Sequence, residues 1–218
     1  HALLNLSLPR RCDATWRADF VAGLTEACAH FDLRLLGGDT TSAPESLVLT
    51  ATVMGALDGR TLWRRGDARV GDRICVGGAI GAGALGLRDM HSGDSDTALA
   101  QHFRRPMPRM DLLGAAGVGG CADVSDGLIA DLAHVCRASA ATGMLSLSRV
   151  PYADPRADGA AQVSGGDDYQ LVFPLAPSAP VPSGCTVIGE VALRQPEQAV
   201  ILDGPAAVIR AAHEDTRA

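Results

Sequence analysis

The stretch Cys121-Ala122-Asp123-Val124-Ser125-Asp126-Gly127-Leu128 places two carboxylates three residues apart, with a serine between them and a glycine directly after. The apolar residues that follow repeat with the spacing of one helix face: Leu128, Leu132, Val135 and Cys136. We therefore predict that Asp123 ends a strand and that Ser125 and Asp126 open a helix. The N-terminus of a helix suits phosphate, because its N–H groups are free and carry a partial positive charge.

Carboxylates at this position would repel a phosphate unless a divalent cation lay between them, and Mg²⁺ prefers such oxygen ligands. The stretch therefore favours a site for magnesium and phosphate. The alternative is that Ser125 or Asp126 only caps the helix by accepting a hydrogen bond from its first turn. The stretch alone does not separate the two interpretations.

The composition restricts the classes of protein to which the chain can belong. Its 218 residues suffice for one large or two modest domains, and 47% of them are hydrophobic, enough for a sizeable core. A net charge of −6 without a basic cluster argues against a nucleic-acid or anionic-membrane surface. No apolar run approaches the roughly 20 residues of a membrane span, and no secretory signal is recognisable.

The cysteines, the histidines and the absence of lysine exclude several kinds of site. The six cysteines contain no C-x-x-C pair, which favours free thiols in a reducing cytoplasm. The six histidines are dispersed and do not predict a zinc site. Lysine is absent, which excludes a P-loop lysine and a Schiff-base lysine. A phosphate site would therefore depend on arginine, backbone N–H groups and metal.

Hydrophobic periodicity alternates between strands and helices, which indicates an α/β or α+β fold. Strands are predicted at residues 2–8, 33–36, 47–57, 61–63, 73–76, 144–147, 170–173, 186–188 and 200–202. A helix after Asp13 has an apolar face that we assign to the core: Trp16, Phe20, Leu24, Cys28 and Phe31. Another helix is predicted from Arg109 to about Gly117. The polar connector 64–72 suggests domains at residues 1–68 and 69–218.

The beginning of the chain resembles the interior of a longer sequence. It opens with His1, and Leu4, Leu6 and Leu8 alternate at once as in the middle of a strand. We therefore expect N-terminal material to be missing and the first domain to be incomplete.

Two further stretches combine glycine with acidic residues. Gly37-Gly38-Asp39-Thr40-Thr41 follows a predicted strand; its glycines would let a phosphate approach the backbone, and Asp39 could hold Mg²⁺. The alternative is a turn in which Asp39 bonds its own backbone. Ser164-Gly165-Gly166-Asp167-Asp168-Tyr169 could bind a substrate amine, a cation or a metal, or could form an ordinary turn.

Gly81-Ala82-Gly83-Ala84-Leu85-Gly86 matches the G-x-G-x-x-G pattern of a dinucleotide-binding turn. That pattern requires an acidic residue about 20 residues later, and residues 101–106 contain none. We therefore favour a turn that packs a helix closely on a strand.

Arg65 and Arg109 are candidate phosphate ligands, because a guanidinium can bind two oxygens at once. The alternative is that both are ordinary surface charges.

Taken together, these stretches resemble the thiamine-monophosphate kinase family, of the superfamily that includes aminoimidazole ribonucleotide synthetase. The resemblance extends in order and spacing to about residue 190 and rests on these residues: Gly37 to Thr41, Arg65 with Gly71-Asp72, Gly81 to Leu87, Pro108-Arg109, Asp123 to Leu128, and Ser164 to Tyr169. It implies a two-domain aminoimidazole ribonucleotide synthetase-like fold. The first domain, incomplete here, would pair with a second copy in a homodimer.

The resemblance also implies a reaction and its residues. The implied ATP contacts are Gly38, Asp39, Arg65 and Ser125; the implied Mg²⁺ ligands are Asp39, Asp123 and Asp126; and Asp167 or Asp168 would lie near thiamine monophosphate. The reaction would be ATP + thiamine monophosphate → ADP + thiamine diphosphate, by in-line attack without a covalent enzyme intermediate. Catalysis would consist of positioning and charge neutralisation.

The chain departs from the family in three places. The N-terminal acidic motifs are absent, Ala82 stands where the family often has Asp, and no aromatic substrate-packing segment is recognisable in residues 210–218. Two alternatives follow: another ATP-dependent enzyme of the superfamily, or a non-catalytic protein that binds nucleotide or dimerises.

Overall fold

The computed structural model describes residues 1–215, so residues 216–218 of the C-terminal segment lie outside the described residues. Contacts divide the chain into two compact units between Arg60 and Thr61. Residues 61–68 belong to the second unit, where the Cys121 N–H donates to the Arg64 carbonyl. The functional division at residues 68 and 69 stays a prediction. None of the helices in residues 1–215 is both long and apolar enough to cross a membrane.

The first unit is a three-stranded sheet with one long helix, built from β1 (Ala2–Leu8), α1 (Ala14–His30), β2 (Leu35–Ser42) and β3 (Val48–Val53). The strand order is β2-β1-β3, with β1 parallel to β2 and antiparallel to β3. Leu4 in the central strand lies opposite Gly38 in β2 and Ala51 in β3. The predicted strand 2–8 is thereby confirmed.

Helix α1 begins where the sequence predicts. The Asp13 carboxylate accepts a hydrogen bond from the Trp16 N–H at 2.9 Å, as an N-cap residue does. The five residues of the predicted apolar face are half-buried, and the rings of Trp16 and Phe20 stack at 5.2 Å. None of the helix is buried, however, so the assignment of this face to a core was wrong within the described residues.

The second unit has a six-stranded sheet in the order β5-β7-β4-β8-β6-β9. Its strands are β4 (Arg73–Gly77), β5 (Ala122–Asp123), β6 (Ala141–Ser146), β7 (Leu171–Leu175), β8 (Cys185–Leu193) and β9 (Val200–Asp203). Its helices are α2 (Ala82–His91), α3 (Ala98–Arg104), α4 (Leu128–Ala138), α5 (Gly159–Ser164) and α6 (Ala206–Asp215). Neighbouring strands are antiparallel except β6 and β9, which are parallel.

The core of the second unit lies on both faces of this sheet. Successive side chains of a strand point to opposite faces, so Ile74 and Val76 join the larger apolar cluster while Cys75 joins the smaller one. Helix α4 covers the larger cluster with the four residues whose spacing predicted it: Leu128, Leu132, Val135 and Cys136, all fully buried. Burying each Leu or Val in this way contributes about 1.5–3 kcal/mol.

Two predicted elements are absent from this part of the structure. Residues 61–63 form no strand; Trp63 packs its side chain on the smaller cluster instead. The predicted helix from Arg109 shortens to a 3₁₀ turn over Met110–Leu112. Gly114 and Gly117 have φ of 86° and 79°, values that interrupt a right-handed helix.

Candidate active site

The loop of residues 124–127 follows β5 and is hydrogen-bonded to the stretch 164–170. The Val124 N–H donates to the Gln170 carbonyl at 2.7 Å, and the Tyr169 N–H donates to the Val124 carbonyl at 2.8 Å. Next along the loop, the Asp167 N–H donates to the Ser125 carbonyl at 3.0 Å. Two motifs far apart in sequence thus form one backbone unit.

Glycine is required where these two stretches touch. A Cβ atom on Gly127 would lie 2.4 Å from the Ser164 carbonyl oxygen, and one on Gly166 would lie 2.1 Å from that of Ser125. No side chain fits at such distances. The glycines of both motifs therefore permit close backbone packing.

Helix α4 begins at Leu128, two to three residues later than the predicted start at Ser125 and Asp126. Gly127 is its N-cap residue, with φ 115° and no side-chain capping bond. Neither Ser125 nor Asp126 caps the helix, so the capping alternative was wrong. Their N–H groups instead both donate to Oδ2 of Asp131, at 3.0 and 2.9 Å.

Asp131 is a residue of this site that sequence reasoning missed. Its side chain is buried, which raises the pKa of the carboxyl, while the hydrogen bonds from Asp126 and Ser125 act in the opposite direction. Ligand atoms of Asp126, Asp131 and His134 lie within 4.8 Å of one another, a spacing at which a cation could be held. The sequence contained one signal for this residue: Asp131 is an acidic residue in the first turn of a helix that has no side chain to cap it.

Asp123 and Asp126 are both exposed residues. Asp123 and Arg65 line one cavity of about 510 Å³, together with Trp63, Pro108, Arg109, Met110, Leu113, Cys121, Ala122 and Leu171. The Ser139 hydroxyl donates to the Arg65 carbonyl at 3.1 Å and holds that segment against the end of α4. The structure therefore brings a predicted ATP ligand and a predicted metal ligand to the same cavity.

Arg109 has its guanidinium occupied by protein groups. Its Nε and Nη2 each donate to an oxygen of Asp111 at 2.8 Å, and Nη1 donates to Oε1 of Gln170 at 3.3 Å. The hydrogen bond to Asp111 raises the pKa of Arg109 and lowers that of Asp111. Its contacts favour a structural role over that of a phosphate clamp.

Asp167 and Asp168 are adjacent but differ in environment. Asp167 is half-buried, has φ 63° and accepts a hydrogen bond from the Tyr169 hydroxyl at 3.2 Å. Asp168 is fully buried, and its two oxygens accept from the N–H groups of Gly81 and Gly83 at 2.7 and 2.8 Å. Burial raises the pKa of Asp168 against these hydrogen bonds. Of the two candidates for substrate contact, the structure favours Asp167.

The glycine-rich turn at Gly81 packs helix α2 closely, but against α3 and the stretch 164–170 and not on a strand as predicted. A Cβ atom on Gly83 would lie 2.5 Å from the Asp167 carbonyl, and one on Gly86 would lie 2.1 Å from that of Leu99. The Asp168 carboxylate already binds the N-terminus of α2, the position a dinucleotide phosphate would need. Close packing by the glycines of the G-x-G-x-x-G pattern is therefore confirmed, whereas a strand as the packing partner was wrong.

Gly38 and Asp39 lie in the first unit, within β2. The sequence placed their motif after a strand, but β2 runs through it to Ser42. A Cβ atom on Gly38 would lie 1.8 Å from the Leu4 carbonyl oxygen, so strand pairing itself requires this glycine. Asp39 is exposed; its N–H donates to the side chain of Asn5, and its Oδ1 accepts from the Thr40 N–H at 2.8 Å. Its predicted ATP and Mg²⁺ contacts stay predictions.

Comparisons with known proteins find a family model and curated relatives of this chain. The family model of the AIR synthase related protein, N-terminal domain, matches residues 1–57. The thiamine-monophosphate kinase of Caulobacter vibrioides is 39% identical over 191 residues, which cover 80% of this chain and 54% of that protein. The chain spans about half the length of the curated relatives that it matches, 54–62%.

Solved structures are similar over nearly the whole chain. The thiamine-monophosphate kinase of Stenotrophomonas maltophilia K279a has a TM-score of 0.73 and 32% identity, covering 94% of this chain and 72% of that one. AaThiL, solved in complex with AMPPCP and TMP, has a TM-score of 0.80 and 25% identity, covering 94% and 70%. The mixed α/β fold with an aminoimidazole ribonucleotide synthetase-like architecture is thereby confirmed.

Proposed function

The chain belongs to the thiamine-monophosphate kinase family, and on that basis we propose that the natural protein phosphorylates thiamine monophosphate to thiamine diphosphate with ATP. The ligands of AaThiL, AMPPCP and TMP, correspond to these two substrates. The reaction joins two anions, so the protein has to neutralise charge and align the attacking and leaving oxygens.

The cavity shared by Arg65 and Asp123 is the observation that carries this proposal. Its volume of about 510 Å³ lies in the range of small-molecule sites. The walls supply apolar surface from Trp63, Met110 and Leu113, with a cation and a carboxylate among them. We infer that Arg65 binds phosphate oxygens of ATP here, and that Ser125 contacts the nucleotide from the adjoining loop.

The residues present fit a magnesium ion. Asp123 ends β5 and Asp126 lies in the loop that follows, and both residues are exposed. Their carboxylates are the hard oxygen donors that Mg²⁺ prefers. Bound there, the ion would neutralise phosphate charge. Asp39 belongs to the other unit, and its place in the ligand set is proposed from the sequence resemblance alone. Asp167, on the stretch bonded to this loop, is proposed to contact thiamine monophosphate.

The activity is tested by ADP release from Mg-ATP in the natural full-length protein, with and without thiamine monophosphate. We expect release to depend on thiamine monophosphate and thiamine diphosphate to accumulate in equal amount. ADP release with other acceptors only would indicate a different enzyme of the superfamily. ATP binding without turnover would indicate a non-catalytic protein.

Arg65 offers a matched pair of variants. Losing a hydrogen bond to a charged group costs about 1.5–3 kcal/mol, so Arg65→Met should lower kcat/KM for ATP by about 10–100-fold. Arg69→Met removes another exposed arginine, one that does not line the cavity, and should change little. Equal kinetics for both variants would contradict the assignment of Arg65.

Metal dependence is tested by calorimetric titration of ATP with Mg²⁺ and with EDTA. Carboxylates that face phosphate repel it unless a cation lies between them. We therefore expect measurable ATP binding only with Mg²⁺. Equal affinity under both conditions would contradict a metal between the phosphates and the carboxylates.

We also propose that the protein is a cytoplasmic homodimer. Every residue of β2 and β3 is exposed, and large apolar side chains lie among them: Leu35, Leu36, Val48, Leu49 and Val53. A second copy packed on this sheet would remove that surface from water. Light scattering after size exclusion measures the mass; a monomer at micromolar concentration would contradict the dimer.

A further inference from the structure

The backbone of residues 124–126 is hydrogen-bonded on two sides. On one side, Val124 and the Ser125 carbonyl bond to the stretch 164–170. On the other side, the N–H groups of Ser125 and Asp126 converge on Oδ2 of Asp131. Because both sides are bound, the backbone between Ser125 and Asp126 has little conformational freedom.

The second side depends on one carboxylate. Asp131 is only 2% exposed, and it reaches back past the N-cap glycine, which has no side chain to do this. Hydrogen bonds to a charged acceptor are about twice as strong as neutral ones. With both N–H groups turned inward, the Asp126 carboxylate remains exposed at the surface of the loop.

We propose that Asp131 is a positioning residue of the active site, a role that rests on the kinase function proposed above. Its carboxylate holds the peptides of Ser125 and Asp126 so that their side chains face ATP and Mg²⁺. Outer partners that orient metal ligands typically change metal affinity or activity by about 10–100-fold when they are removed. Asp131 itself makes no contact with the reacting atoms.

The competing explanation is that Asp131 ligates metal directly with Asp126 and His134, whose ligand atoms are near it. One feature favours positioning: Oδ2 of Asp131 already accepts two backbone N–H groups. Direct ligation would require all three side chains for metal affinity, but positioning requires Asp131 and not His134.

The test compares Asp131→Asn with His134→Ala in the natural full-length protein. Asparagine has the shape of aspartate but accepts the two N–H groups as a neutral group. We expect faster amide hydrogen exchange at Ser125 and Asp126, by NMR. We also expect an increase of about tenfold or more in the Mg²⁺ concentration for half-maximal ADP release, at nearly constant KM for thiamine monophosphate. His134→Ala should match the wild type in both measurements.

Each outcome decides the proposal. The proposal is overturned if Ser125 and Asp126 exchange their amide hydrogens at the wild-type rate in Asp131→Asn. It is also overturned if His134→Ala raises the Mg²⁺ requirement as much as Asp131→Asn does, because that would indicate direct ligation. If Asp131→Asn does not fold, Asp131→Glu replaces it, since it keeps the charge but displaces the carboxylate; wild-type exchange and activity in Asp131→Glu would likewise overturn the proposal. If the wild type lacks kinase activity, the kinase proposal fails, while amide exchange and Mg²⁺-dependent ATP binding still decide the role of Asp131.

Discussion

Asp126 combines a fixed backbone with an exposed carboxylate. No hydrogen bond to that carboxylate is found among residues 1–215, and the helix behind it is capped by Gly127. In this part of the chain the Asp126 carboxylate therefore neither caps the helix nor forms an ion pair. This arrangement is expected of a side chain that is available to an external ligand.

We predict that Asp126→Asn separates stability from activity. The melting temperature without ligand should stay near that of the wild type, because the N–H bond to Asp131 comes from the backbone. Activity with thiamine monophosphate should fall by about 10²–10³-fold, the usual loss for one preorganised electrostatic contact. Calorimetric melting and ADP release measure the two effects.

The matched control for this variant is Asp203→Asn. Asp203 is exposed at the end of β9, on the sheet edge opposite β5. The same change of charge there should leave both measurements unaltered. Full activity in Asp126→Asn would remove the central residue of the metal assignment.

At the level of elements, helix α2 is fixed by close backbone contact as well as by apolar packing. Gly83 touches the backbone of Asp167, and the Asp168 carboxylate binds the helix N-terminus. The loop that carries Asp167 and Asp168 is therefore fixed by the N-terminus of a helix 85 to 87 residues earlier in the chain. A substitution that moves α2 should therefore also move Asp167, the residue proposed to contact the substrate.

We predict that a glycine-to-alanine substitution changes the free energy of unfolding in opposite directions in helices α2 and α1. Gly83→Ala would place a Cβ 2.5 Å from the Asp167 carbonyl, and such overpacking costs about 1–3 kcal/mol. Gly23→Ala in α1 meets no atom within 4 Å and should stabilise by up to about 1 kcal/mol through helix propensity. Urea unfolding, followed by hydrogen exchange in each unit, measures both; destabilisation by Gly23→Ala would contradict the exposed position of that helix face.

At the scale of the molecule, three buried or half-buried cysteines of the second unit test how tightly that unit is packed. All six cysteines of the chain are free, and burial raises the pKa of Cys75 and Cys136 to about 11 and that of Cys121 to about 12. At pH 8 these thiols hold almost no thiolate, which is the reactive form. They should resist a disulfide reagent until the unit unfolds.

The same shifts predict how stability depends on pH. The unfolded thiols release their protons near pH 9, whereas the folded ones keep theirs to about pH 11 or above. Above pH 9 the folded state thus binds more protons, so stability should fall as pH rises from 9 to 11. Urea titrations across this range test the pH dependence, and thiol labelling at pH 8 tests the reactivity. Stability that does not change with pH, or rapid labelling of Cys75, Cys121 and Cys136, would contradict the buried packing.

The local patterns of the sequence were sufficient for several elements. Strand 2–8, the cap at Asp13 and the buried face of α4 followed from periodicity and capping preference, which involve neighbours in the chain. The G-x-G-x-x-G turn was correctly assigned to packing because its missing acidic partner could be read directly. The motif order also indicated the family, since each motif keeps its residue types and spacing.

Tertiary structure alone decided which charges are available. The Asp168 carboxylate is used by N–H groups 87 and 85 residues away, and Arg109 is occupied by Asp111 and Gln170. Asp131 has no recognisable motif, and its role appears only when the loop folds back on α4. A carboxylate that binds ligand and one that binds backbone look alike in sequence, because the difference lies in burial and in partners distant along the chain.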